Sequence, residues 1–138
     1  LLRLAKLTDN ADFAAKAERA LVAVSGNLVA APHAMFKTLC AVDFFIHPPK
    51  EIVLVGAATD EPVRTFLKTL HERFIPNKVV AAADPADATY ADLAKRVPLL
   101  ESKTRVNGQA AAYVCRNHTC EKPATTPEAF AALLQSED

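Results

Sequence analysis

The residues best equipped for chemistry lie near the end of the chain. Cys115-Arg116-Asn117-His118-Thr119-Cys120 places two thiols and an imidazole on one short run. Three readings of it stay open. Thiolates and imidazoles bind zinc, but structural zinc sites complete a tetrahedron with two short ligand pairs. Here there is a single cluster, and Cys40, His33, His47 and His71 would have to join it from distant segments. The two cysteines can instead close a disulfide across a tight loop leaving a strand. Their spacing is not the two-residue gap of redox centres, where a helix N-terminus lowers the first thiol's pKa. The plainest reading makes Cys115 a small buried hydrophobe and Cys120 a loop thiol. No metal is expected.

The second candidate is the run Gly56-Ala57-Ala58-Thr59-Asp60-Glu61-Pro62. Backbone N–H groups at a helix start attract anions, which makes Gly56, Thr59 and Asp60 candidate ligand-binding residues. One glycine falls short of a dinucleotide or Walker pattern, and Asp60 and Glu61 would repel an anion. His33, His47 and His71 have no obvious carboxylate or serine partner, so none reads as a general base. Asp43 interrupts an apolar stretch and would cap, pair with Lys37 or Lys50, or face a cavity. No Ser-His-Asp or Cys-His order comes with persuasive local context. No catalytic residue and no cofactor is assigned.

These side chains need elements to carry them. Thr8-Asp9-Asn10 supplies helix-capping residue types. Phe13, Ala17, Leu21, Val24 and Leu28 then recur at spacings of four, four, three and four, which puts them on one helix face. Pro32 disfavours helix at Ala31. A second amphipathic segment runs from His33 to Ile46, with Met35, Phe36, Leu39, Cys40, Val42 and Phe44 apolar, until Pro48-Pro49 stops it. The two form a hairpin whose large apolar face needs a cover. Before them, Leu1 to Leu7 reads as the tail of a helix, as if the chain were a piece of something longer.

Beyond Glu51 the texture changes. Ile52-Val53-Leu54-Val55-Gly56 is a β-branched run suited to a strand buried on both faces. Val63, Phe66, Leu67, Leu70 and Phe74 keep helical spacing, and Lys78 to Ala83 reads as a second strand. Tyr90, Leu93, Ala94 and Val97 suggest a short helix, Asn107-Gly108 a turn, and Ala110 to Cys115 a third strand. Thr125 and Glu128 have capping-box spacing, with Phe130, Leu133 and Leu134 facing inward. The expected fold class is α/β: a helical segment over 1–48, then a module over 49–138 with a small three-stranded, mainly parallel sheet of order 2-1-3 flanked by helices. A parallel third strand would create a switch point, where such folds place ligands. Gly56, Thr59, Asp60 and Cys115 would gather there.

Composition limits the function classes. The 138 residues are 51% hydrophobic and 23% charged, and 16 basic residues balance 16 acidic ones for a net charge of +0. Apolar material suffices for a core, and the balance argues against electrostatically driven binding of nucleic acid or anionic membrane. No apolar run approaches the roughly 20 residues of a membrane span, and no signal-peptide pattern opens the chain. A cytoplasmic protein is expected.

The run Ala112-Tyr113-Val114-Cys115-Arg116-Asn117-His118-Thr119-Cys120, with Pro123 and Thr126-Pro127-Glu128 after it, resembles the extreme C-terminus of the YyaL / spermatogenesis-associated protein 20 family. Glu51 to Gly56, Ile75 to Val80, and Pro32 with Met35 to Leu39 resemble the same region in order. The resemblance implies a fusion protein: an N-terminal thioredoxin-like domain, then a helical toroid similar to N-acylglucosamine 2-epimerases and six-hairpin glycosidases. On it, residues 1–48 are the last toroid helices and the remainder is appended to them. The implied partners are the rest of that parent chain or a second copy of this one. No epimerase-type catalytic residue maps onto a position here. Cys115 and Cys120 match the family pattern, which supplies no role for them. His118 stands where no fixed residue is expected, which lowers the zinc reading. The expected function is a non-catalytic structural or interaction module. The alternatives are a redox-active or ligand-binding domain using Cys115 and Cys120, and a contribution to a sugar-processing parent.

Overall fold

The computed structural model describes residues 1–117 and 119–135. A buried strand, β1 (Lys50–Val55), organises it. Ile52, Val53, Leu54 and Val55 are all buried because helices cover both faces of the sheet, so every side chain of a continuous apolar run finds a dry partner. A helix, α4 (Glu61–His71), then leads to β2 (Lys78–Ala83), which lies parallel to β1 from Lys50 opposite Lys78 to Val55 opposite Ala83. The expected strand–helix–strand unit is present.

The third strand corrects the expectation. β3 (Ala111–Arg116) takes the other side of β1, as the order 2-1-3 requires, but runs antiparallel, with Val55 opposite Ala111 and Glu51 opposite Cys115. The connection shows where the chain turns. After α5 (Tyr90–Arg96) it stays at the end of the sheet where β2 finishes, and Asn107 and Gly108, both at positive φ, turn it back into β3 there. A fourth strand, β4 (Thr119–Cys120), pairs antiparallel with β3, so the sheet is mixed, four-stranded and ordered β2-β1-β3-β4.

One core lies on each face. On the first, Ile52, Leu54 and Val114 meet Phe66 and Leu70 of α4 and Phe130 and Leu134 of α6 (Pro127–Gln135). The rings of Phe66 and Phe130 pack edge to face, 5.5 Å apart at 74°. On the second, Val53, Val55, Tyr113 and Cys115 are covered by Leu100, Tyr90, Ala94 and Val97. The cap of α6 differs by one position from the expected box. Thr126 Oγ1 accepts from Ala129 N–H at 3.2 Å, while Pro127 takes the first helical position, where no N–H is needed. Phe74 is a second difference. α4 stops at His71, and Phe74 is 93% exposed.

Three helices precede the sheet: α1 (Leu2–Thr8), α2 (Ala11–Ala30) and α3 (Phe36–Ile46). Asn10 caps α2, its Oδ1 accepting from the N–H groups of Asp12 at 2.9 Å and Phe13 at 3.2 Å. Phe13, Ala17, Leu21, Val24 and Leu28, the expected face, are the shielded positions of α2. Residues 32–34 form a single 3-10 turn, so α3 starts at Phe36 and not at His33. α1 packs against α2 and against β2. Arg3 ties it down: its guanidinium lies 5.4 Å from the Phe44 ring centre and donates to the Pro76 carbonyl at 3.2 Å. Among the described residues no helix is long and apolar enough to cross a membrane.

Candidate functional site

Because β3 is antiparallel, Gly56 and Cys115 stand at opposite ends of the sheet and no shared switch point exists. The expected gathering of Gly56, Thr59, Asp60 and Cys115 is replaced by two separate sites.

The first lies at the carboxyl ends of β1 and β2. Gly56 leaves β1 at φ 144°, and a Cβ there would sit 2.8 Å from Val63 Cγ2 and 3.1 Å from Ala110 Cβ. Glycine is thus required both by the backbone and by the close approach of α4. Thr59 is exposed on the loop. Asp60 Oδ2 accepts from Ala57 N–H at 3.2 Å and from Arg105 Nη2 at 3.0 Å. The same Nη2 donates to Asp84 Oδ2 at 3.0 Å, and Arg105 Nε donates to Asp84 Oδ1 at 3.4 Å. One guanidinium therefore bridges the loop after β1 to the residue after β2.

The segment carrying Arg105 is held in place by two phenols. Tyr90 Oη donates to the Leu100 carbonyl at 3.0 Å, and Tyr113 Oη donates to the Thr104 carbonyl at 2.8 Å. Asn107 and Gly108, both at positive φ, turn the chain back so that Val106 pairs with Gln109. Beside the clamp, Gly56, Ala58, Ala83, Asp84, Thr89 and Leu93 border a cleft of about 380 Å³.

The electrostatics suit fixing rather than reacting. The hydrogen bonds from Arg105 hold the Asp84 carboxyl below the usual aspartate range, helped by the Ala86 N–H. Asp84, and then Asp60, hold Arg105 even more firmly protonated than usual. Asp84 therefore carries no proton to donate at neutral pH, and both carboxylates already accept from a cation. Two acids against one base also leave the cleft unattractive to an anion.

The second site is at the other end of the sheet. A disulfide joins Cys115 to Cys120, which face each other across the β3–β4 pair. The two sulfurs differ in access: Cys115 is 2% exposed within the second core, whereas Cys120 is exposed. An external thiolate can reach only Cys120 and must expel Cys115. A thiolate forming among Val53, Val55 and Tyr113 is disfavoured by desolvation, which makes it a poor leaving group. The bond is built as a staple for the edge hairpin. His118 falls outside the described residues.

The other candidates disperse. His33, His47 and His71 are all exposed. Asp43 pairs with neither Lys37 nor Lys50. It accepts from Asn77 Nδ2 at 2.7 Å and lies 2.8 Å from His47 Nδ1, and these two bonds, Asn77 first, lower its pKa. It links α3 to the start of β2. Cys40 is a free, exposed thiol. Among the described residues no three His, Cys, Asp or Glu side chains converge to hold a metal ion. Arg105 and Asp84 were not candidates by sequence, since nothing local marks a residue whose partners lie 21 and 45 positions away.

No protein-family model matches the chain, and no solved structure matches it significantly. Curated relatives do. Spermatogenesis-associated protein 20 of Homo sapiens is 31% identical over 134 residues, 97% of this chain and 17% of that protein. The rat (Rattus norvegicus) protein of that name is also 31% identical over 134 residues, with the same coverage. The mouse (Mus musculus) protein is 31% identical over 137 residues. The match takes in almost all of this chain but only 17% of the length of those relatives. The chain belongs, as a match to one stretch of its members, to the spermatogenesis-associated protein 20 family.

Proposed function

We propose that the chain is a non-catalytic C-terminal structural and interaction module of a longer thioredoxin-domain-containing protein. It packs through α1–α3 against the remainder of that protein. The observation that carries this reading is the uncovered apolar surface of α2 and α3. Val22 is 66% exposed, Val29 83%, Phe36 68% and Ile46 60%. Leu1, Leu21, Cys40 and Phe44 line a groove of about 520 Å³ beside them. Apolar surface of this extent marks a contact face. Relatives of which this chain spans 17% have ample further chain to supply the cover. On this reading residues 1–48 belong physically to the parent's helical toroid, and residues 49–138 close its end. Any sugar-processing or thioredoxin-like chemistry resides in that remainder.

The contrary reading, a redox centre at Cys115 and Cys120, is weakened by the buried leaving sulfur. The two separate by experiment. Phe36→Asp in the full-length protein removes a buried ring contributing about 1.5–3 kcal/mol and adds a desolvated charge. In the isolated 138-residue chain the same change is close to neutral, because Phe36 already faces water. Equal effects in both settings would overturn the docking reading.

A further inference from the structure

The turn that feeds β3 carries chemistry of its own. Asn107 and Gly108 form its tip at φ 50° and 77°, and both are exposed. Asn-Gly is the pair preferred where a two-residue turn needs positive φ twice. It is also the chemically labile pair, because asparagine amides are thermolabile and the backbone nitrogen of the next residue is the group that attacks them. A Cβ at Gly108 would meet nothing within 4 Å, so neither its own side chain nor a neighbour crowds that nitrogen. Neither the Gly108 N–H nor the Asn107 side chain has a hydrogen-bond partner among the described residues. Other asparagines are engaged. Asn10 Oδ1 accepts from Asp12 and Phe13, and Asn77 Nδ2 donates to Asp43. Asn27 lies inside α2, where the helical ladder occupies the following N–H.

The same turn sets the position of the clamp. Val106 N–H donates to the Gln109 carbonyl at 3.1 Å, and Gln109 N–H donates to the Val106 carbonyl at 2.9 Å. Arg105, immediately before this pair, reaches Asp60 and Asp84 at 3.0 Å each. Ala110, immediately after it, is buried and packs beside Gly56. A change in the length of the turn therefore moves the guanidinium that bridges the loops after β1 and β2.

We propose that Asn107 is a site of spontaneous covalent conversion to aspartate and isoaspartate, and that the isoaspartate form releases the Arg105 clamp. Gly108 N attacks Asn107 Cγ. The new N–Cγ bond closes a succinimide ring, the Cγ–Nδ2 bond breaks, and ammonia leaves with the proton from Gly108 N. Water then opens the ring. Attack at Cγ leaves an ordinary aspartate, a residue type that tolerates positive φ. Attack at the Asn107 backbone carbonyl routes the chain through Cγ and adds one backbone atom to the turn. The Val106 and Gln109 hydrogen bonds then lose their register, and Arg105 its placement.

The test ages the folded 138-residue chain at neutral pH in heavy-oxygen water and maps the incorporated label by peptide mass spectrometry. Asn107 is expected to convert about tenfold or more faster than Asn10, Asn27 and Asn77, since rate responds exponentially to the barrier. The isoaspartate form is then separated by ion exchange and compared with the parent by two-dimensional NMR. Its Arg105 Nε–H resonance, assigned by loss in Arg105→Lys, and its Val106 and Gln109 amides are expected to move. Asn107→Asp should keep the turn amides near their parent positions. Asn107→Gly keeps the positive φ at no steric cost and cannot form the ring, so ageing should leave its Arg105 resonance unchanged. Conversion of Asn107 no faster than that of the other three overturns the proposal. So does an isoaspartate form whose Arg105 resonance superimposes on the parent's, or an equal ageing shift in Asn107→Gly.

Discussion

The staple at Cys115 and Cys120 makes a quantitative prediction because its two ends sit in different environments. The sequence separation is 5, so the closed ring is small and the loop-closure relation gives about 2 kcal/mol of stabilisation. Cys120 is exposed, and Cys120→Ser loses that amount and little else. Cys115 is 2% exposed in an apolar core. Cys115→Ser adds an unpartnered hydroxyl at a further cost of about 1–3 kcal/mol, for about 3–5 in all. Urea unfolding followed by circular dichroism measures both as shifts in midpoint at constant m. An internal control comes with the series: complete reduction should bring the parent chain down to the level of Cys120→Ser and leave that variant unmoved. Equal losses for the two variants, or a parent chain indifferent to complete reduction, would refute the reasoning.

The remaining predictions concern the first site and the core. Gly56→Ala combines a positive φ with contact on Val63 and Ala110, and should cost about 2–4 kcal/mol in the same assay. Phe130→Ala removes a ring with no exposed surface packed on Phe66, at about 3–5 kcal/mol. Asp84 and Asp43 titrate below the ordinary 3.8 in the folded chain, so the unfolded chain takes up their protons first. Their stabilisation is complete above about pH 5 and fades as pH falls through the folded values. Arg105→Gln should return Asp84 towards 3.8 and flatten its share of that acid loss, read from carboxyl NMR titration and thermal unfolding between pH 2 and 6.

The strand–helix–strand unit was legible because two faces of burial write a continuous apolar run into Ile52–Val55, and α4 writes its period into Val63, Phe66 and Leu70. The shielded face of α2 was legible for the same reason. Strand direction was not, since a buried run has no polarity. It depends on where the long connection after β2 turns back into the sheet, which is at Asn107 and Gly108. β4 has two residues and no pattern to display, because it owes its place to a disulfide and to the edge of β3. The Asn107-Gly108 turn announced itself through residues suited to positive φ. Arg105 did not, because a clamp formed by distant partners leaves no local trace. Phe74 misled by keeping step with a helix that had already ended at His71.

The most direct measurement is amide hydrogen exchange across α2 and α3, compared between the full-length protein and this 138-residue chain. Docking predicts protection over residues 11–46 at least tenfold greater in the full-length protein, about 1.4 kcal/mol or more of local stability, with β1 and α4 alike in both. Exchange as fast in the full-length protein as in the isolated chain would mean that nothing covers those helices.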